Sequence, residues 1–308
     1  MTTLTTTDVV ARNLKRRGTD VAGSVLSTVL LIMLLASLGI LVTLLADILT
    51  GGIGVLTDRG WSFVADPLSP SPDKAGVIQG VLGSIALTAI VVVVAFPIGV
   101  GAAIYLEEYA KDTRLTRFIT ANIRNLAGVP SIVYGLLGLA VFVNLASGLT
   151  GGRTVLAGGL TLAVLVLPIM IITASEALRA VPDALRQASM GVGATKWETI
   201  RYQVFPVALP AILTGTVLTI ARAFGESAPL LLAGAVLSSF FASADGVTLF
   251  ERISQEKYTA LPIIVFNWAR QPQEEFRALT AAAIIVLLVL LLVVNATAII
   301  LRDRFERV

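Results

Sequence analysis

Residues 75–106 read AGVIQGVLGSIALTAIVVVVAFPIGVGAAIYL, a run of 32 residues without one charged side chain. A helix needs about 20 mainly apolar residues to cross the hydrocarbon core of a bilayer. The run exceeds that length, and its apolar residues do not alternate with polar ones as they do in the strands of a membrane β-barrel. The stretch therefore predicts a transmembrane helix.

Five further stretches have the same character and bring the number of predicted spans to six. Four of them are also free of charge and cover residues 21–46, 125–152, 154–175 and 278–301. The last, at about 207–238, is interrupted by Arg222 and Glu226. Because backbone polar groups inside lipid must be satisfied within the segment, runs of this length are expected to be helical. The expected fold class is an all-α integral membrane protein with six transmembrane helices.

The composition supports a membrane protein and excludes several kinds of enzyme. Apolar residues (Ala, Val, Ile, Leu, Met and the aromatics) make up 56% of the 308 residues, and only 14% are charged, against about 25% in soluble domains. The chain has neither Cys nor His, so it offers no disulfide, thiol nucleophile or imidazole base. It also lacks the G-x-x-x-x-G-K-[ST] phosphate loop, which predicts that any ATP hydrolysis occurs in another subunit.

The distribution of basic residues predicts the orientation of the chain. With the N-terminus inside, the cytoplasmic segments carry about twice as many Lys and Arg residues as the outer ones, as the positive-inside rule requires. Both termini are therefore expected to be cytoplasmic. The predicted segments are a tail (1–20), a first transmembrane helix (21–49), an outer loop (50–76), a transmembrane domain (77–301) and a second tail (302–308).

The cytoplasmic loop 176–206 has the sequence of two short helices joined at a corner. Asp183 follows a proline and opens the first helix, where a carboxylate favours the positive end of the helix dipole. Gly191 and Gly193 interrupt the helical pattern and can adopt the positive φ of a tight turn. Thr195 and Glu198 have the S/T-x-x-E spacing of a capping box, which starts the second helix.

Pro206 is expected to end that second helix and to begin the fifth span. Read from this pattern alone, the loop is either an amphipathic connection with no partner or a rigid pair of surface helices to which a partner binds. Small residues near the centre of the pair, such as Ala188, favour a partner.

The loop resembles the EAA loop of ABC importer permeases. The matching positions are Gln187-Ala188-Ser189, then Gly193, and then Gln203-Val204-Phe205-Pro206, with Gln in place of the Glu of that motif. Four further stretches, GAAIYLEEY (101–109), NLAGVPSIVYG (125–135), ARAFGESAPL (221–230) and LP with NWA (261–262 and 267–269), are similar to the A-type (PstA) permease subunits of phosphate-specific ABC transporters. This resemblance covers about 76–301.

The resemblance implies a type I ABC importer permease bundle of the MetI-like kind in a bacterial inner membrane. It implies a PstC-type permease as heterodimer partner, two PstB-type ATPase subunits that hold ATP and Mg, and a PstS-type extracytoplasmic phosphate-binding protein docking on outer loops 47–76 and 237–277. The chain itself would then be a non-catalytic permease subunit. The residues implied in ATPase coupling are Asp183, Ala188, Gly191, Gly193, Thr195, Glu198 and Pro206.

Two charged residues within the fifth predicted span are the candidates for substrate contact. An ionised Arg or Glu in the bilayer costs about 2.5–3.5 kcal/mol on insertion scales, so such residues usually face a bundle interior or an aqueous pathway. One interpretation is a structural ion pair between Arg222 and Glu226, four residues apart on one helix face. The other is that Arg222 offers its planar donors to an oxyanion, with Glu226 holding it in place and Ser227 adding a hydroxyl.

Two alternatives to phosphate import remain at the level of sequence. The nearer one is an ABC permease for another oxyanion, such as sulfate, molybdate or phosphonate. The other is a different class of protein, either an ion-coupled secondary transporter or a membrane sensor scaffold. A secondary carrier usually shows an internal repeat with broken helices, and no repeat is evident in the six predicted spans.

Overall fold

The computed structural model describes residues 21–237 and 257–306, and within them every regular element is helical. The α-helices are α1 (Val21–Arg59), α2 (Trp61–Ala65), α3 (Ile78–Ile104), α4 (Arg114–Ala127), α5 (Ser131–Gly138), α6 (Ser147–Thr150), α7 (Val155–Arg179), α8 (Asp183–Gly191), α9 (Lys196–Thr199), α10 (Phe205–Gly225), α11 (Ala228–Leu232), α12 (Leu261–Trp268) and α13 (Glu275–Glu306). Three π-helical segments, Tyr105–Tyr109, Leu139–Leu145 and Ile200–Val204, extend α3, α5 and α9.

The chain divides into two compact units, residues 1–50 and 51–308. The described part of the first unit is helical from residue 21 onward and belongs to α1. Its hydroxyl side chains donate to backbone carbonyls one turn earlier, for example Thr28 Oγ1 to Ser24 O at 2.9 Å and Thr43 Oγ1 to Ile40 O at 2.8 Å. Such bonds satisfy polar groups inside an apolar helix.

The second unit is a helix bundle with α3 and α7 at its centre. Leu87 and Val91 of α3 and Leu162 and Val166 of α7 belong to one buried cluster. The two helices approach closely at small residues, because a Cβ at Gly159 would meet the side chain of Ile90. Small residues at helix contacts are typical of membrane bundles, where close packing replaces the hydrophobic effect.

Among the described residues, five helices are long and apolar enough to span a membrane, and a sixth span is obtained if α4 is joined to α5 and its π-helical extension. Those two pieces are bent by 101°. The helical part of the predicted span over 125–152 therefore begins at Ser131, after the bend, and its first residues, 125–127, belong to the end of α4. Pro130 stands just before α5 and lacks a backbone N–H, so the helix cannot run through it without losing a bond.

The last predicted outer loop contains a buried helix that the sequence analysis missed. In α12, Leu261, Ile263 and Ile264 are fully buried, and the helix packs between α3 and α13. Gly83 makes the approach to α3 possible, because a Cβ there would overlap the carbonyl oxygen of Thr259. The backbone N–H of Leu261 donates to Ser84 Oγ at 2.9 Å. Residues 238–256 of that loop lie outside the described residues.

Two helix ends differ from the predicted boundaries. Helix α1 continues past residue 49 to Arg59 because Val55 and Leu56 pack against the cluster around Phe63 and Trp268. Helix α13 continues past residue 301 to Glu306. The segment 60–77, predicted to be an outer loop, is folded against the end of α1: Arg59 donates to Ala75 O at 2.8 Å and pairs with Asp66 at 3.2 Å.

Candidate functional site

The fifth span is interrupted at the residues that the sequence selects for substrate contact. Arg222 lies in the last turn of α10, which ends at Gly225, and Glu226 is extended, with φ −79° and ψ 120°. Ser227 precedes α11, which carries Pro229 in its first turn. The prediction that Arg222 and Glu226 share one helix face is wrong, because the helix ends at Gly225. Pro229 has no N–H to donate to the Gly225 carbonyl, and a new helix begins there.

The two charged side chains nevertheless remain partners. Arg222 Nε lies 3.6 Å from Glu226 Oε1, and their side chains are 44% and 20% exposed. Within residues 21–237 and 257–306, Glu226 is the only carboxylate within 4 Å of the Arg222 guanidinium. A contact of 3.6 Å is too long for a good hydrogen bond. The guanidinium thus keeps donors for an additional anion.

The helix break is held firmly against the neighbouring helix α5. A Cβ at Gly135 of α5 would come within 2.7 Å of the Pro229 Cα atom. Pro229 and Leu230 are buried at this contact. The position of Arg222 and Glu226 relative to α5 is therefore set by close backbone packing, which suits a site that must present charge in a fixed place.

The segment 176–206 folds as the two helices that its sequence predicts. Thr195 Oγ1 accepts from the Glu198 N–H at 3.3 Å, and the Glu198 carboxylate accepts from the Thr195 N–H at 2.8 Å, so the capping box is confirmed. Gly193 has φ +92° at the corner between α8 and α9. The hydroxyls of Ser189 and Thr199 lie 3.0 Å apart and join the two helices.

Pro206 does not end the second helix. After the single α-helical turn of α9, the π-helical segment Ile200–Val204 leads into α10, and Pro206 lies in the first turn of α10. The helix is thus continuous, and Lys196–Gly225 is long enough to span a membrane. A wider turn ahead of Pro206 avoids the clash that a proline makes with the carbonyl four residues earlier.

Arg186 anchors the helix pair to the bundle, a contact that sequence reasoning missed. Its guanidinium lies 2.8 Å from the Glu108 carboxylate and donates to the carbonyls of Leu178 at 2.9 Å and Val181 at 2.7 Å. The Arg186 and Glu108 side chains are 17% and 7% exposed. Residues 108 and 186 belong to different predicted segments, and only their opposite charges at span ends could have suggested the pair.

A second ion pair lies beside the first. Arg179, at the end of α7, donates to both carboxylate oxygens of Glu107 at 2.6 and 2.9 Å. Two-point contacts of this kind fix orientation as well as distance. The π-helical end of α3, the end of α7 and the start of α8 are thereby tied together at the base of the helix pair.

Comparison with known proteins identifies the family. The family model described as binding-protein-dependent transport system inner membrane component matches residues 95–307. The chain belongs to this family. It is thus a multi-pass membrane protein of this permease family, which decides against a secondary transporter or a membrane sensor scaffold.

Individual relatives agree with the family. The permease is 36% identical to the probable ABC transporter permease protein YqgI of Bacillus subtilis over 62% of this chain and 63% of that one. It is 35% identical to the phosphate transport system permease protein PstA 1 of Mycobacterium tuberculosis (strain H37Rv) over 71% of this chain and 69% of that one. The chain spans slightly less than two thirds of YqgI and of the related YqgH.

A solved structure shares the fold of the permease. The MetNI methionine ABC transporter in inward-facing conformations superposes with a TM-score of 0.59 and 18% identity, covering 74% of this chain and 95% of that one. At this identity the likeness establishes the fold alone. The expected MetI-like importer permease bundle is confirmed.

In the permease, six of the seven predicted coupling residues lie on the exposed surface of the helix pair α8–α9: Asp183, Ala188, Gly191, Gly193, Thr195 and Glu198. Pro206 is also exposed but belongs to α10. The pair also exposes large apolar side chains that the sequence analysis did not select. Met190 is 48% exposed, Val192 87% and Trp197 56%. Exposed apolar groups on a rigid base are typical of a protein contact.

Proposed function

We propose that this permease forms half of the translocation pathway of an ATP-driven importer of inorganic phosphate. The observation that carries the proposal is the half-exposed Arg222, placed at a helix break with Glu226 as its one carboxylate partner in the described chain. The phosphate transport permeases at about one third identity support phosphate as the substrate.

Arg222 would contribute the cationic part of the anion site. A guanidinium offers planar, paired donors that match the oxygens of phosphate better than a Lys ammonium does. Glu226 lowers the local positive charge, so that the anion is bound weakly enough to leave again. Ser227, the next residue, adds a hydroxyl that can donate to or accept from the anion.

The helix pair α8–α9 would receive the conformational change of an ATPase. Met190, Val192 and Trp197 form the apolar part of the contact, and the anchors at Arg186 and Arg179 carry movement to α3 and α7. The complex proposed comprises a PstC-type permease, two PstB-type ATPases and a PstS-type binding protein. ATP and Mg belong to the ATPases.

Uptake of labelled phosphate tests the proposal, in cells whose own copy of this chain is deleted and replaced by the wild-type chain or a variant. We expect Arg222→Gln to abolish uptake at matched expression and assembly, and Arg222→Lys to restore only part of it, because it keeps the charge without the paired donors. Arg304→Gln removes an equally basic but remote exposed residue and serves as the control.

Two results would overturn the proposal. Normal uptake with Arg222→Gln would make the Arg222–Glu226 pair a structural contact only. Sulfate or molybdate competing as well as unlabelled phosphate would assign the permease to another oxyanion.

A further inference from the structure

The direction of α4 places it along the membrane surface. Helix α4 makes an angle of 101° with the segment formed by α5 and its π-helical extension. If that segment crosses the bilayer, α4 lies nearly parallel to the bilayer plane. It stands at the end of α3 and α7 that carries the helix pair α8–α9, and Tyr134 Oη donates to Leu126 O at 2.8 Å across the bend.

One face of α4 is apolar and uncovered. Leu115 and Phe118 are 68% and 66% exposed, and Ile119 and Leu126 are 41% and 47% exposed. At 100° per residue these four positions fall on one side of the helix. The polar Arg117 and Arg124 fall on the opposite side. This pattern is typical of helices that lie in the interface of a membrane with the apolar side in the acyl chains.

A basic groove borders the polar side of the same helix. Its volume is about 530 Å³, and its charged lining consists of Lys111, Arg117, Arg124 and Arg179 with Glu107 and Asp112. Arg179 is paired with Glu107, and Arg117 with Asp112 at 3.4 Å. In the part of the chain that the structure describes, neither Lys111 nor Arg124 has a carboxylate within 4 Å. The groove therefore has an excess of positive charge next to an apolar helix face.

We propose that α4 is a membrane-surface helix and that its groove binds the headgroup of an anionic phospholipid of the same leaflet. Lys111 and Arg124 contact the phosphate at the polar side of α4, and the opposite, apolar side with Leu115 and Phe118 lies among the acyl chains of the surrounding leaflet. A soluble anion would leave the apolar side exposed to water, and a protein would have to bring both acidic and apolar groups to the same helix. A leaflet that contains anionic phospholipid supplies both.

The site is continuous with the anchor of the helix pair α8–α9. Glu107 lines the groove and pairs with Arg179, while the adjacent Glu108 holds Arg186. A bound headgroup adds negative charge beside Arg179 and thus competes with Glu107 for it. Anionic lipid is therefore expected to alter the base of the helix pair as well as the position of α4.

Binding of short-chain phosphatidylglycerol to the purified, assembled transporter tests the site, with native mass spectrometry as the readout. Each positive charge removed at a membrane surface lowers the affinity for anionic lipid about fivefold. We expect Lys111→Gln and Arg124→Gln each to have this effect. Arg114→Gln is the matched control, since Arg114 is exposed on α4 but does not line the groove.

Three outcomes of this experiment would overturn the lipid site. Phosphatidylcholine binding as tightly as phosphatidylglycerol would remove the role of charge. An equal loss with Arg114→Gln would indicate general attraction to the surface rather than a groove. Displacement of the lipid by inorganic phosphate at similar concentrations would assign the groove to a free anion.

The apolar face has a separate test, which is simple because the chain has no Cys of its own. An environment-sensitive fluorophore on Leu115→Cys should be quenched by lipids brominated on their acyl chains. The same label on Arg117→Cys, whose side chain is also 68% exposed, should not be quenched. Absence of quenching at position 115 would show that a protein covers this face and would overturn the placement in lipid.

Discussion

Arg186 is the residue on which the attachment of the helix pair α8–α9 depends most. Its guanidinium donates hydrogen bonds to the carboxylates of Glu108 and Asp183 and to two backbone carbonyls. Glu108 is nearly buried, so the loss of Arg186 would leave its charge without a partner. Removing one member of a buried pair costs about 3–5 kcal/mol, much more than an exposed pair contributes.

Arg186→Gln is therefore expected to lower the unfolding temperature of the purified protein in detergent, whereas Arg117→Gln at the exposed pair with Asp112 should leave it nearly unchanged. The double variant Arg186→Gln with Glu108→Gln should recover part of the loss, because no unpaired charge remains. If the double variant were as unstable as the sum of the two single ones, the pair would have no energetic coupling.

Gly83 is the second residue at which a single substitution should strongly affect folding, because even one added methyl group does not fit there. A Cβ there would overlap the backbone of Thr259, while one at Gly101 of the same helix would meet nothing within 4 Å. We expect Gly83→Ala to reduce the yield of folded protein severely and Gly101→Ala to be neutral or slightly stabilising. Size-exclusion chromatography of the fluorescently tagged protein measures both, and equal profiles would contradict the close approach.

At the scale of single residues, the sequence reveals an important residue only when its chemistry differs from that of its neighbours in sequence. Arg222 and Glu226 could be selected because they interrupt an apolar run. Arg186, Glu108 and Gly83 could not, because each depends on a residue far away in sequence. A charged residue at a span end or a glycine in a helix is common, and only the fold shows which ones have a partner.

At the scale of elements, the corner between α8 and α9 is the clearest prediction from sequence. The capping box and the glycines are recognised from the spacing of neighbouring residues, so no tertiary information is needed to find them. The π-helical segments and α12 cannot be recognised in this way. The π-helical segment at Ile200–Val204 lets the helix continue to Pro206, and the eight residues of α12 are too short to register as a span although they are buried.

The corner should depend strongly on Gly193. Its φ of +92° is unfavourable for any residue with a side chain, at a cost of about 1–3 kcal/mol. Gly193→Ala is expected to increase hydrogen exchange in 194–204, where α9 would lose its fixed start. Gly191→Ala is the control, since it lies within α8 and a Cβ there meets nothing within 4 Å. Equal exchange in the two variants would show that the corner tolerates the strain.

At the scale of the whole molecule, the orientation in the membrane is still a prediction from the positive-inside rule. Single cysteines in this Cys-free chain can determine it. We expect Asp73→Cys, in the exposed turn Pro72–Lys74, to react with an impermeant maleimide from outside in intact spheroplasts. Arg304→Cys should react only after permeabilisation. The reverse pattern would place both termini outside and would contradict the proposed ATPase contact.

The contact of α12 with α3 has a consequence for how the chain is made. The bond from Leu261 N–H to Ser84 Oγ joins residues 177 positions apart. At about 5–20 residues per second, a ribosome needs about 10–35 s to synthesise that interval. During this time the surface of α3 around Gly83 lacks the α12 segment that packs on it. We expect depletion of the membrane insertase or of a membrane chaperone to lower the yield of this chain more than that of proteins whose spans pack in the order of synthesis.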